Sequence, residues 1–218
     1  MMCDVDWVNN FAELAKQVRR HLEEAPGCHD FDHTQRVLRN AELLLPECAD
    51  ADVQVVRFAS LLHDIARPEE LAMKGEICHA ALGAKLAAQL LRRYDLPEAF
   101  VCAVADAVEH HRYRSSSPPT TVEARIVYDA DKLDSLGATG VGRAFLFAGR
   151  VGARLHNTSE EAFDGEAYGR EDTAYREFLV KLRYLPSQML TAPGRRLAAE
   201  RLKVMEAFFE QLNREVYG

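Results

Sequence analysis

The chain has 218 residues, 48% of them apolar and 28% charged; it is long enough to bury one full core, too short for two large domains, and neither disordered nor fibrous in composition. Its net charge of −7, from 27 Lys and Arg against 34 Asp and Glu, excludes the overall basic excess of a protein held on nucleic acid, so no stable nucleic-acid complex is expected, although a local basic patch is allowed. The first thirty residues lack the basic-then-apolar order of a leader, and no apolar run approaches the roughly 18 residues needed to span a bilayer, so the expectation is a soluble cytoplasmic protein without a membrane partner.

Trp7, Phe11, Leu14, Val18 and Leu22 recur at steps of three and four, which predicts an amphipathic helix running to Pro26-Gly27. A second helix is predicted from Asp30 to Asp32 through Val37, Ala41, Leu44 and Leu45 to Pro46, and a third after Asp50 through Val55, Phe58, Ala59 and Leu62, ended by Pro68. Glu76 to Tyr94 is rich in Ala and Leu, and Pro97 suits the first turn of a fifth helix that runs through Val101, Val104 and Val108 into His110 and His111. Ser115-Ser116-Ser117-Pro118-Pro119 is a breaker; Thr120-Thr121 with Glu123 opens a helix through Ile126 to Leu136, which Gly137, Gly140 and Gly142 interrupt. Residues 152 to 172 lack a sustained period and read as a long exposed loop or insertion, a candidate lid. Leu202, Met205, Phe209, Leu212 and Val216 predict a long terminal helix after Pro193-Gly194. No segment alternates as a strand and no repeat is evident, so the fold class is all-α, one helical bundle over residues 1 to 218 with 173 to 218 as carboxyl-terminal helices on its core.

Five cysteines, Cys3, Cys28, Cys48, Cys78 and Cys102, are odd in number and form no CxxC pair, so they read as buried reduced thiols and not as a disulfide framework or a zinc knuckle. The count that stands out is eight histidines. His33 falls in the first turns of the second helix, His63 and Asp64 near the end of the third inside an otherwise apolar run, and Asp131 amid hydrophobic spacing in Tyr128-Asp129-Ala130-Asp131-Lys132-Leu133-Asp134. Neutral nitrogen and hard oxygen donors together suit a divalent transition ion with open water positions, the arrangement a metal-assisted hydrolase needs.

His29-Asp30-Phe31-Asp32-His33-Thr34-Gln35-Arg36-Val37, then Ala59 to Ala66 around His63-Asp64, then Glu123 to Ala138 around Asp131, resemble in order the three motifs of the HD superfamily of metal-dependent phosphohydrolases. The stretch from Phe178 to Arg201 is similar to one bacterial HD-hydrolase subfamily, so the resemblance covers nearly the whole chain. It implies a helical bundle of the HD type; metal ligands His33, His63, Asp64 and Asp131, with Asp64 also catalytic; and one divalent ion, Mn²⁺ or else Ni²⁺, Co²⁺, Fe²⁺, Zn²⁺ or Mg²⁺. Asp129 and Asp134 compete with Asp131 by spacing, and the family pattern selects Asp131; the other two read as a helix-surface acid and an ion-pair partner.

His79, His110 and His111 also resemble the extra histidines of dinuclear members, but the chain continues Arg112-Tyr113-Arg114 after the His pair and lacks the Gly-Tyr-Pro that marks the cyclic-dinucleotide phosphodiesterase branch. The subfamily therefore implies one ion, with His79 and His111 lining a phosphate pocket, His110 exposed and His29 structural. His21 and His156 have no neighbouring chemistry in the sequence. Arg36, Arg67, Lys74, Lys132 and Arg143 offer positive charge, Arg36 and Lys132 foremost, and Arg67 stands where the family often has an acid. The expected substrate is a small phosphorylated molecule, a nucleotide by resemblance, either a (deoxy)nucleoside triphosphate split to monophosphate and pyrophosphate or a monophosphate split to nucleoside; a homodimer is open. The alternatives are a metal- or nucleotide-binding regulatory module without turnover, and a dinuclear phosphodiesterase.

Overall fold

A computed structural model of the chain describes residues 5–23, 30–73, 75–112 and 118–218. Cys3, Cys28, His29, Lys74, the Pro26-Gly27 stop, Tyr113, Arg114 and Ser115 to Ser117 therefore lie outside the described residues. Those described form twelve α-helices, a few single turns of 3₁₀ helix and no strand, so the all-α expectation holds. None of the helices is long and apolar enough to cross a membrane. The chain divides within one helix into two compact units, residues 1–131 and 132–218.

In the first unit, α1 (Trp7–Leu22) starts where the Asp6 carboxylate accepts the Asn9 N–H at 3.0 Å, and α2 (Phe31–Leu44) where Asp30 accepts the His33 N–H at 2.9 Å. Asp52 does the same for two N–H groups of α3 (Val53–Leu62), each cap satisfying donors that a helix start leaves bare. Leu14, Val18 and Leu22 of α1, Val37, Ala41 and Leu44 of α2, and Val55, Phe58, Ala59 and Leu62 of α3 are buried. Trp7, Phe11 and Phe100 surround the Phe58 ring, edge-on to it at centroid distances of 6.1, 5.1 and 5.2 Å.

Pro68 does not simply end the third helix. α3 stops at Leu62, His63 to Ala66 form a turn, and Pro68 lies in the first turn of a new short helix, α4 (Arg67–Ala72), where its missing N–H costs nothing. The predicted Glu76-to-Tyr94 helix is α5 (His79–Leu91) with a 3₁₀ turn after it, and Pro97 precedes α6 (Glu98–His110). The α5 and α6 helices pack together, α3 packs on α6 and α2 on α3. α7 (Val122–Leu133) carries Asp131 as the last residue of this unit, and Asn40 of α2 donates to the Ala130 carbonyl at 2.9 Å.

In the second unit, α8 (Gly137–Arg150) overturns the expectation that three glycines break a helix: Gly137 opens it with φ +70°, and Gly140 and Gly142 lie inside it. A Cβ on Gly140 would stand 2.3 Å from the Ser135 carbonyl oxygen, so the close approach of this helix to the preceding turn requires a glycine. Asp134 is indeed an ion-pair partner, 2.5 Å from Arg143.

Residues 152 to 172 are largely exposed but not a plain loop. They contain α9 (Ser159–Asp164), started by a reciprocal Thr158–Glu161 capping box, and are tied down by Arg154 on Glu171 at 2.8 Å and by buried Asn157, which accepts from Thr173 at 2.7 Å. α10 (Ala174–Val180), the four-residue α11 (Leu185–Gln188) and α12 (Ala192–Tyr217) follow. The last begins before Pro193-Gly194 because Thr191 accepts the Gly194 N–H. Of its predicted stripe, Met205 and Phe209 are buried and Val216 is 45% exposed.

The cysteines correct another expectation. Cys48, Cys78 and Cys102 are free thiols, but Cys48 is half-buried and Cys78 and Cys102 are exposed, because Cys78 stands at the start of α5 and Cys102 on the solvent side of α6.

Candidate metal centre

Six side chains from the first unit converge. His33 enters from the first turn of α2, His63 and Asp64 from the turn after α3, Asp131 from the last turn of α7, His79 from the first residue of α5, and His111 from the end of α6. All but Asp131 are buried, and its side chain is 16% exposed.

The Nε2 atoms of His33 and His63 are 3.2 Å apart, and each is 3.6 Å from Oδ2 of Asp64. His33 Nε2 is also 3.4 Å from Oδ1 of Asp131. On the other side of the same carboxylate, Oδ1 of Asp64 is 3.2 Å from His79 Nε2 and 3.7 Å from His111 Nε2, and those two nitrogens are 3.2 Å apart. The residues thus form two sets of mutually close donor atoms, His33, His63 and Asp131 in one and Asp64, His79 and His111 in the other, each spanning no more than 4.8 Å.

The outer ring nitrogens fix which atoms face inward. His63 Nδ1 donates to the Ser60 carbonyl at 2.8 Å and His111 Nδ1 to the Val108 carbonyl at 2.6 Å; a carbonyl only accepts, so each Nδ1 carries a proton and Nε2 is the atom each ring turns inward. Burial, opposed by Asp64 and reinforced by His33 and His111, pushes the pKa of His63 down to about 4, so this ring is neutral at pH 7. Lone pairs and carboxylate oxygens at such distances repel unless protons or a cation lie among them. The donor set fits a divalent cation for that reason.

Beside this cluster, Glu70 of α4 accepts from Arg67, from Arg112 at 2.7 Å, and from His79 Nδ1 at 2.8 Å. Burial raises the Glu70 carboxyl, but His79, Arg67 and Arg112 together outweigh it and hold its pKa at about 2. Neither Glu70 nor Arg112 stands out in the sequence, because Glu70 sits in an acidic pair with Glu69 and Arg112 among other cations; only the fold brings them together. His21, which has no visible chemistry in the sequence, points Nε2 at the Ile65 carbonyl from 2.8 Å and so pins the turn that carries His63 and Asp64.

Arg36 lies one turn beyond His33 on α2 and Lys132 directly follows Asp131; both are half-buried. Arg143 is committed to Asp134. Asp129 corrects its reading as a helix-surface acid, since it is fully buried. His110 is half-buried, not exposed, with Nδ1 on the Asp106 carbonyl at 2.9 Å. His156 is buried in the second unit, where Nε2 meets Asn213 at 2.7 Å.

Residues 30–136 match the family model of the HD domain. This is an HD-domain protein. YpgQ of Bacillus subtilis is 29% identical to it over 214 residues, covering 94% of this chain and 93% of that one. The crystal structure of YpgQ in complex with ADP has a TM-score of 0.71 at 28% identity, covering 97% of each chain. An HD-superfamily hydrolase from Bacillus thuringiensis has a TM-score of 0.73 at 26% identity, covering 96% of this chain and 97% of that one. The HD-domain protein therefore has the fold of the HD-superfamily hydrolases, and the motifs that resembled that family in the sequence are the segments that meet at the cluster.

Proposed function

We propose that this HD-domain protein is a metal-dependent phosphohydrolase acting on a nucleotide, with His33, His63, Asp64 and Asp131 as ligands of a divalent cation. The observation that carries this reading is the position of Asp64, whose Oδ2 lies 3.6 Å from both His33 and His63 while its Oδ1 lies 3.2 Å from His79. A divalent cation in such a set lowers the pKa of water and neutralises phosphoryl oxygens. The chain's own contribution is positional. The Ser60 and Val108 carbonyls hold the rings of His63 and His111 with Nε2 inward, and Asp64 lies where it can orient an attacking water as well as ligate.

Arg67 and Arg112 stand against His79 with side chains 17% and 19% exposed, so positive charge borders the centre where phosphate oxygens need it, within a chain that is acidic overall. Arg36 and Lys132 remain proposed phosphate contacts from the motif match. The ADP bound by YpgQ supports a nucleotide as the substrate class, with (deoxy)nucleoside triphosphates and monophosphates the two kinds to try first.

A second reading has its own observation. His79 and His111 face each other and Oδ1 of Asp64 at 3.2 to 3.7 Å, which suits a second cation with Asp64 shared between the two sets. In the one-ion reading the same histidines face the phosphate.

The deciding experiment strips the protein of metal, restores Mn²⁺ and assays a panel of nucleotides and phosphoesters beside D64A. Metal-dependent turnover by the wild type and its loss in the variant are expected. Metal uptake without turnover on any of them would leave a binding module.

A further inference from the structure

We infer that Arg201 is a positioning residue for Asp131, acting through the last turn of α7. A helix end leaves carbonyls without internal partners and frays readily, and Asp131 stands two residues before the end of α7 at Leu133. Past that end the chain closes turns of its own, with the Ser135 N–H on the Lys132 carbonyl at 3.0 Å and the Leu136 N–H on the Leu133 carbonyl at 3.2 Å. Arg201 adds the shortest bond of the three, donating from Nη1 to the Leu133 carbonyl at 2.7 Å. A cation at the carboxyl end of a helix also suits its dipole. Leu133 is fully buried, so the guanidinium, and not bulk water, meets the second lone pair of this carbonyl. The next residue, Asp134, is 1% exposed and paired with Arg143 of α8.

The sequences of α8 and α12 bring Arg201 to this place. Arg201 and Met205 are one turn apart on α12 and share a face, and α12 packs on α8. Under Arg201 lies Gly137, where an added Cβ would stand 3.3 Å from Arg201 Cγ; under Met205 lies Gly140, where it would stand 3.4 Å from Met205 Cε. Two glycines, three residues apart, thus let the stem of Arg201 cross the start of α8 closely enough to reach Leu133. The consequence falls on Asp131. It is the one side chain of the six in the cluster that its surroundings do not fully enclose, so the position of its backbone governs where its carboxylate stands against His33. Outer partners that orient a ligand in this way commonly set metal affinity.

This role rests on the reading of Asp131 as a metal ligand, and its test reads metal affinity, not turnover. R201M keeps an aliphatic stem over Gly137 and removes the donors. In calorimetric Mn²⁺ titrations it is expected to bind about tenfold more weakly than the wild type, and R201K, which can still donate to one carbonyl, to bind nearly as the wild type does. Because the effect passes through Asp131, R201M/D131N is expected to bind no more weakly than D131N alone. In the wild type, the amides of Lys132 and Leu133 are expected to resist hydrogen exchange as well as those of Ile126 and Val127 in the middle of α7, a measurement that needs no variant to fold. Wild-type affinity in R201M, no recovery in R201K, losses that add in the double variant, or fast exchange at Lys132 and Leu133 would overturn the role. D131N with full affinity would remove the ligand and the role together. Weakened binding in R201M by a protein that turns over no phosphate compound would remove the proposed function and keep this role for Arg201; turnover with wild-type binding in R201M would keep the function and remove the role.

Discussion

His33 and His63 come from helix α2 and the turn after α3, thirty residues apart in the chain, and bring their Nε2 atoms to 3.2 Å of each other with Oδ2 of Asp64 at 3.6 Å from both. Such a pair is costly in the bare protein and favourable around a cation. H33A and D131N are therefore expected to lower divalent-metal affinity by at least tenfold while leaving the fold intact, as read by metal analysis after gel filtration and by circular dichroism. Full metal retention in both would remove these residues from the ligand set.

The neutral state of buried His63 makes the metal-free protein sensitive to acid. Its folded pKa of about 4 lies below the ordinary value of 6.5, so between those two pH values the unfolded chain binds more protons than the folded one, and stability falls as pH drops from 6.5 to 4. The size of the effect is about 3 kcal/mol for this residue alone. Glu70, with its folded pKa lowered from 4.5 to about 2, adds a second loss as pH falls from 4.5 toward 2, by the same sign rule for a depressed carboxylate. Urea unfolding in the presence of a chelator should give a midpoint that falls steadily from pH 7 to pH 4; a flat profile would mean that His63 is not a buried neutral ring.

The number of ions is open to direct measurement. If Asp64 serves both donor sets, metal analysis of protein loaded with excess Mn²⁺ gives two ions per chain, and H111Q, which removes a donor from the Asp64-His79-His111 set only, gives one. A value of one in the wild type, unchanged in H111Q, would support His79 and His111 as phosphate-facing groups.

Phe58 ties α1 and α6 to α3 through Trp7, Phe11 and Phe100 and is fully buried. Replacement by Ala should cost about 3–5 kcal/mol through lost burial and the cavity left behind. Trp7 is the single tryptophan, so its fluorescence follows unfolding in the helix layer that carries His63, and a cost under about 1 kcal/mol would show that this aromatic cluster is not what holds that layer.

The sequence made the helices and the motif histidines legible for one physical reason, that both are written locally. An apolar stripe such as Leu14, Val18 and Leu22 reports its own burial, and His33, His63, Asp64 and Asp131 lie in short segments with a recognisable order. What it did not reveal depends on contacts between distant segments. Glu70 looks like one of two adjacent surface acids until α5 and α6 bring His79 and Arg112 to it. Asp129 competes with Asp131 by spacing and reads as a helix-surface acid in the sequence, yet it is fully buried, and His21 acquires a role only because α1 passes the Ile65 carbonyl. Gly140 reads as a helix interruption because glycine has poor helix propensity, whereas close approach to Ser135 is what calls for it.

The central claim is that a cation held beside Asp64 drives phosphate hydrolysis in this HD-domain protein. The most direct measurement titrates metal-free protein with Mn²⁺ and follows, in the same samples, metal occupancy and release of phosphate or pyrophosphate from a nucleoside triphosphate and a monophosphate. Turnover of at least one of the two that rises in step with occupancy, is abolished by chelator and is absent from D64A at equal protein concentration is the expected result. Occupancy that saturates with no turnover of either nucleotide, or turnover that persists in chelator, would contradict the account.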